Sequence, residues 1–307
     1  MLGAATNDTT RATTDAAWRR ELELEGAQGG FYRPLGEDHS ALFIAGTPTL
    51  VVTFENAATI RQREPDQMPF GLSVAEMRGW SHLCLISHAA RWYRDPAVYG
   101  FFDEMVDESF FEQFDHVVFF GAGMGGYAAA AYSVAAPGAT VIALHPQATL
   151  DPAVAGWDPR FADRRGLDFT SRYGYAPDMT EGTGQAFVIH DPDQPLDSMH
   201  AALFRRPWTT LVPARHGGAD LYASLSSMHI LHSILSSAAT GSFDARLFAT
   251  FYRARRSNLP YLNRMLARLE SDGRFGLAAM AAESAGRRLR EPRLLEAAQK
   301  LRLRALD

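Results

Sequence analysis

The chain has 307 residues, of which 47% are hydrophobic, 21% charged and 11% aromatic, and its formal net charge is −5. This composition is typical of a globular protein with a full hydrophobic core, and the negative charge argues against general nucleic-acid binding. No apolar run approaches the ~20 residues of a membrane span, and residues 1–20 lack the apolar core of a secretory signal. The single cysteine, Cys84, excludes a disulfide framework, so we expect a cytoplasmic protein.

The predicted elements begin with a polar helix over residues 11–26, within an N-terminal lead-in that covers residues 1–40. From residue 41 to residue 240, short apolar runs alternate with helical stretches, and most of the runs are continuously apolar. Strands that are buried on both faces have this pattern, so it predicts a doubly wound, mainly parallel α/β sheet. The predicted strands are 41–44, 50–54, 82–86, 116–120, 140–144, 186–189 and 209–212.

Two segments depart from this alternation. The connection 145–185 is rich in Gly, Pro and Asp and is too long for a plain crossover, which favours a cap or lid over a site. Residues 241–307 contain no strand pattern and carry 14 Arg and Lys against 7 Asp and Glu. This basic helical tail is interpreted either as a solvated surface or as a docking surface for an acidic protein partner. Its predicted helices are 243–256, 258–271, 273–288 and 291–305.

The most informative segment is 116–131, HVVFFGAGMGGYAAAA, in which a buried strand leads into a glycine-rich turn and an alanine-rich helix. One interpretation is dinucleotide binding, because Gly121, Gly123 and Gly126 fit the spacing G-x-G-x-x-G of FAD- and NAD(P)-binding oxidoreductases. That motif calls for an acidic residue at the end of the next strand, to hold the ribose hydroxyls. Here the next strand ends in 145–147, HPQ, without an acid.

The second interpretation is a nucleophile elbow, G-x-S-x-G, which residues 121–125 match except that Gly123 stands where the serine would be. The string GMGGYAA resembles the SMGGYAA elbow of esterases and acyl hydrolases of the α/β-hydrolase superfamily. The resemblance covers about residues 41–240. It implies an α/β-hydrolase fold and a site for ester hydrolysis or acyl transfer.

The resemblance also implies an acid and a histidine that follow the elbow in chain order. Asp193 is the first choice for the acid, Asp191 the second and Asp197 the third, because all follow the predicted strand 186–189. His216 follows the last predicted strand and would be the general base. Taken singly, each of these residues could equally be an ordinary loop residue, because Asp-Pro sequences favour turns.

The elbow residue of such proteins has a positive φ, a conformation that glycine adopts at little cost. Gly123 would therefore keep the turn while deleting the hydroxyl. The backbone N–H of Met124 would face an oxyanion hole, and a second donor would come from near Asn56 or Ala57. In this chain Glu55-Asn56 stands where the family usually has His-Gly.

Loss of a triad member lowers kcat by roughly a millionfold. The leading hypothesis is therefore a pseudoenzyme that binds an acyl ester or a glycan-type small molecule. The alternatives are a weak hydrolase in which His216 activates water, a different nucleophile (Ser81, Ser87 or Cys84), and a serine deliberately changed to glycine to trap a substrate.

No cofactor is expected, and no metal, because paired histidine motifs such as H-E-x-x-H are missing. The segment 91–94, RWYR, suits recognition of a sugar or a carboxylate, or simple surface packing.

Overall fold

The computed structural model describes residues 14–306, and within them eight strands alternate with helices. The strands are β1 Gly30–Leu35, β2 His39–Ile44, β3 Thr47–Asn56, β4 Trp80–Ser87, β5 His116–Ala122, β6 Thr140–Leu144, β7 Gln185–His190 and β8 Thr209–Pro213. The helices up to the last strand are α1 Asp15–Gly29, α2 Ala57–Arg63, α3 Phe70–Arg78, α4 Pro96–Asp107, α5 Met124–Ala131, α6 Pro152–Ala155, α7 Ala176–Met179 and α8 Pro195–Leu203. Beyond it lie α9 Leu221–Ser227, α10 Leu231–Ala239, α11 Ala245–Phe251, α12 Leu259–Ser271, α13 Phe275–Leu289 and α14 Pro292–Arg304.

The strands form one sheet in the order β1-β2-β4-β3-β5-β6-β7-β8. β1 and β2 are antiparallel to their neighbours, and all pairs from β4 to β8 are parallel. The sheet is therefore the mainly parallel α/β sheet that the sequence predicts. Because parallel strands place their carboxyl ends at one edge, the loops after β3, β5, β6, β7 and β8 meet there.

Successive strand residues face opposite sides of the sheet, and both sides are covered. In β3, Leu50 and Val52 belong to one hydrophobic cluster while Val51 belongs to the other. In β5, Phe119 and Phe120 divide in the same way, and each is at most 1% exposed. This double burial explains why most of the seven predicted strands are continuous apolar runs, and all seven are confirmed.

The N-terminal region contains one strand that the sequence analysis missed. Helix α1 begins after the capping residue Thr14, so the part of the predicted helix over residues 11–13 lies outside the described residues. Strand β1 follows α1 directly and pairs only with β2, at the edge of the sheet. Its sequence, GFYRPL, carries glycine and proline, which are tolerated at an edge but weaken any strand pattern.

The connection between β6 and β7 is fastened to the body of the protein. The Tyr127 hydroxyl on α5 donates hydrogen bonds to the carbonyls of Tyr173 and Gly174. The buried Arg94 guanidinium donates to the carbonyls of Asp168 and Arg172. These bonds hold the connection against α5 on one face of the sheet.

The last four helices, α11 to α14, match the predicted helical tail, with a 3₁₀ stretch Tyr252–Ser257 between the first two. They belong to the same hydrophobic cluster as the sheet face beneath α10, through residues such as Ala282 and Leu301. Several of their arginines are paired within the tail, since Arg287 and Arg302 both contact Glu283. Among residues 14–306, no helix combines the length and apolar character needed to cross a membrane.

Candidate functional site

The turn between β5 and α5 is built around Gly123, whose φ of 56° and ψ of −117° lie where side chains are strained. Its N–H donates to the Leu144 carbonyl on β6 at 2.9 Å, and its carbonyl accepts from the Tyr127 N–H at 2.9 Å. These two bonds tie the turn to the neighbouring strand and to the first turn of α5. Residue 123 therefore has a positive φ at a turn that leads from a strand into a helix.

The glycines of this turn differ in the space around them. A Cβ on Gly121 would lie 2.1 Å from the Gly125 carbonyl oxygen, and a Cβ on Gly125 would lie 2.2 Å from the Phe54 carbonyl oxygen. A Cβ on Gly126 would lie 2.9 Å from the Leu144 oxygen. Close backbone packing accounts for these three glycines without a bound nucleotide. In contrast, among the described residues other than its chain neighbours, a Cβ on Gly123 would meet only His145, at an ordinary contact distance of 3.5 Å.

The predicted acid and histidine come together. His216 Nδ1 lies 2.9 Å from Asp193 Oδ2, and both side chains are about one-fifth exposed. Of the three aspartates considered for the acid, only Asp193 contacts the ring of His216. Arg215 adds a weaker contact, with its Nη1 3.8 Å from Asp193 Oδ1.

The other two aspartates have different partners. Asp191 accepts hydrogen bonds from the backbone N–H groups of Asp193, His216 and Gly218, so it shapes the loops that carry the pair. Asp197 is buried and accepts from Arg160 at 2.6 Å. These contacts leave Asp191 and Asp197 as structural groups beside the pair.

The residues expected at the oxyanion hole lie at two helix starts. Met124 is the first residue of α5, so its N–H has no partner within the helix. Asn56 caps α2, where its side-chain oxygen accepts from Ala58 and Thr59, and Ala57 is the first helical residue. Met124 and Asn56 line the same cavity.

That cavity has a volume of about 260 Å³ and lies at the carboxyl edge of the sheet. Its lining includes the apolar residues Phe54, Phe120 and Ala122 and the polar residues Asp220 and Tyr222, together with residues of α2. Arg63 donates to Asp220, with Nη2 2.5 Å from Oδ2, and Tyr222 donates to Glu64 at 3.1 Å. A larger cavity of about 470 Å³ lies near the amino ends of β5 and β6, far from this turn.

Glu55 also lines the cavity, and its carboxylate is held by hydrogen bonds from the N–H groups of Phe70 and Gly71. Burial raises the pKa of Glu55 to about 7. With His82 and Cys84 it forms the only cluster of metal-ligand types in the described residues, their ligand atoms lying within 4.8 Å of one another. The Thr53 hydroxyl bridges Glu55 and the His82 ring, which accounts for the cluster by hydrogen bonding.

The other nucleophile candidates are engaged elsewhere. Cys84 is fully buried, and burial raises its pKa well above the usual value for a thiol. The Ser81 hydroxyl donates to the Thr47 carbonyl and the Ser87 hydroxyl to the Ala89 carbonyl, and both serines are buried. None of the three lines the cavity beside the turn.

Three of the four residues in the segment 91–94 pack inside the protein, whereas Arg91 is exposed and pairs with Asp38. Trp92, Tyr93 and Arg94 are at most 6% exposed. Tyr93 alone reaches the cavity wall, and its hydroxyl donates to the Glu55 carbonyl at 2.9 Å.

Sequence reasoning missed several cavity residues: His145, Arg63, Glu64, Asp220 and Tyr222. Part of this lining could have been predicted from the sequence, because the spacing of Asn56, Thr59 and Arg63 places them on one face of α2. The pairing of Arg63 with Asp220 joins residues 157 positions apart, which no local pattern reveals.

No protein-family model and no curated protein matches this sequence. Solved structures do match. An esterase from Pyrobaculum calidifontis is 15% identical, with 76% of this chain and 95% of that chain covered and a TM-score of 0.43. A carboxyl esterase from Tuber melanosporum is 11% identical, with 72% and 82% covered and a TM-score of 0.40. The Gap123 glycosylation-associated complex of Streptococcus agalactiae is 15% identical, with 67% and 48% covered and a TM-score of 0.42. At these identities the likeness concerns the fold alone.

Proposed function

We propose that this chain is an α/β-hydrolase-type protein that binds a small acylated or glycan-type molecule in the cavity beside Gly123, without serine-based catalysis. The observation that carries the proposal is a strand-to-helix turn at Gly123 that has a positive φ and no hydroxyl, at the same edge of the sheet as the His216–Asp193 pair. Without the nucleophile, acyl-enzyme turnover falls by roughly a millionfold. Such a site can still bind its ligand, and we therefore propose ligand binding as its function.

The lining of the cavity supports a neutral ligand. Arg63 is the one arginine or lysine among its lining residues, and its charge is matched by Asp220. Burial lowers the pKa of His145, which favours the neutral imidazole, and the carboxyl group of Glu64 already accepts a hydrogen bond from Tyr222. A free carboxylate or phosphate would find no unmatched cation here, whereas hydroxyl and ester oxygens would find hydrogen-bond partners.

The size of the cavity sets an upper limit on the bound group. Its volume of about 260 Å³ is near the lower end of the range for ligand pockets, roughly 300–1,000 Å³. It therefore suits one sugar ring or one short acyl ester. The apolar lining residues, such as Phe54 and Phe120, would contact the carbon skeleton, and the polar lining residues would bind its oxygens.

The test is intact-mass labelling with a fluorophosphonate probe on the wild type, Gly123→Ser and Gly123→Ala. We expect labelling of Gly123→Ser alone, at residue 123, because that variant restores a nucleophile to the turn. Gly123→Ala is the matched control, since it introduces the same Cβ without a hydroxyl. Labelling of the wild type would contradict the proposal by pointing to a different nucleophile, and silence from all three proteins would contradict a hydrolase-type site.

A further inference from the structure

His145 is the residue nearest to the open position on Gly123. It follows β6 directly and has a φ of 37°, which is unusual for a residue with a side chain. Its Nε2 lies 3.5 Å and its Cδ2 4.0 Å from the place that a Cβ on Gly123 would occupy. A hydroxyl on that Cβ would lie within hydrogen-bond range of Nε2.

Within residues 14–306, and apart from the chain neighbours of Gly123, no other residue places an atom within 4 Å of this Cβ position. The ring of His216 is therefore farther from it than the ring of His145. The His216–Asp193 pair is assembled, but the first imidazole that an oxygen above Gly123 meets is that of His145.

The imidazole of His145 also lacks partners of its own. Within residues 14–306, the Nε2 that faces Gly123 takes part in no hydrogen bond, the Nδ1 is buried without a partner, and the residue lines the cavity. Burial lowers its pKa, with opposing contributions from Asp197 and Asp220, so the ring is neutral near pH 7. A neutral imidazole offers one donor and one acceptor, and unpaired buried polar groups are costly.

We propose that His145 is a ligand-binding residue, whose Nε2 holds a hydroxyl or ester oxygen of the ligand in the space that Gly123 leaves open. This inference rests on the proposed binding function and adds the contact that orients the ligand. The absent side chain creates the room for that oxygen, and His145 supplies its hydrogen bond. If the ligand has no oxygen at this point, the Nε2 of His145 is left without a hydrogen-bond partner.

The experiment uses the serine hydroxyl of Gly123→Ser as the probe oxygen. Full-length Gly123→Ser is compared with the double variants that also carry His145→Asn or His216→Ala, in the rate of fluorophosphonate labelling. Asparagine tolerates positive φ, so His145→Asn keeps the backbone at that position. We expect this substitution to lower the labelling rate at least tenfold. His145→Gln serves as the second variant, and circular dichroism confirms that each protein is folded.

The outcomes separate the two proposals. If the His145 variants label at the rate of Gly123→Ser, within threefold, the inference is overturned. If His216→Ala abolishes labelling in that case, the proposed function still stands, and His216 is the histidine that acts on the serine at residue 123. If Gly123→Ser itself is not labelled, the proposed function is contradicted, and the inference about His145 fails with it.

Discussion

The contrast between Gly123 and Gly125 yields a prediction in which only one of two neighbouring glycines tolerates a methyl group. At Gly123 an added Cβ has ordinary contacts, with His145 at 3.5 Å, so the cost of Gly123→Ala is backbone strain alone. Strain from a positive φ costs about 1–3 kcal/mol. With an m-value near 3 kcal/mol/M in urea, a loss of ~2 kcal/mol lowers the unfolding midpoint by roughly 0.7 M.

At Gly125 the same substitution meets backbone. Its Cβ would lie 2.2 Å from the Phe54 carbonyl oxygen and 3.2 Å from the carbonyl carbon, so α5 would have to move away from β3. Overpacking usually costs 1–3 kcal/mol and more where backbone must shift, so we expect Gly125→Ala to lose more than ~3 kcal/mol or to fail to fold.

Equilibrium urea unfolding of the wild type and both variants, followed by far-UV circular dichroism, measures the difference. The expected order of midpoints is wild type, then Gly123→Ala, then Gly125→Ala. If Gly123→Ala were the more damaging variant, or if Gly125→Ala unfolded with the wild type, the geometry assigned to this turn would be wrong.

Three further predictions concern groups around the site. Asp191→Ala removes the acceptor of three backbone N–H groups and should lower the free energy of unfolding by about 3 kcal/mol or more, measured in urea; an unchanged midpoint would contradict this. The folded-state pKa of Glu55 is raised from 4.5 to about 7, so the stability it contributes is present below pH 4.5 and is lost as the pH rises through 7. Glu55→Gln should flatten that part of the stability profile, and an unaltered slope would argue against Glu55 as its source. Arg160→Ala leaves Asp158 and Asp197 buried without their cation and should cost about 3 kcal/mol in the same urea assay, where a loss below 1 kcal/mol would refute the burial argument.

Much of the fold was predictable because its strands are buried on both faces. Continuous apolar runs such as 116–120 have few alternative structures, and all seven predicted strands are present. β1 was not predicted because an edge strand needs only a weak pattern of apolar residues, and Gly30 and Pro34 interrupt the pattern in this strand. The helical tail was predicted from the change in pattern after residue 240, within a few residues at most boundaries.

The candidate site was predictable only where a motif fixed it. The turn at Gly123 and the proximity of Asp193 to His216 followed from chain order. In the sequence, His145 entered the argument only because a dinucleotide site would need an acidic residue after that strand. Its position beside Gly123 depends on the pairing of β5 with β6. Ion pairs such as Arg63 with Asp220 join distant segments and become visible only in three dimensions.

The hydrophobic cluster that joins the sheet to the last helices has a consequence for synthesis of the chain. Val51 on β3 and Leu301 on α14 belong to one connected set of buried residues, although they are 250 positions apart. The helices that complete this set are synthesised after the whole sheet, so the cluster cannot close until they have emerged from the ribosome. Transiently exposed apolar surface promotes aggregation, and contacts between distant residues slow folding. Nascent forms that end before residue 241 should therefore depend on chaperones more than forms that include α11 to α14.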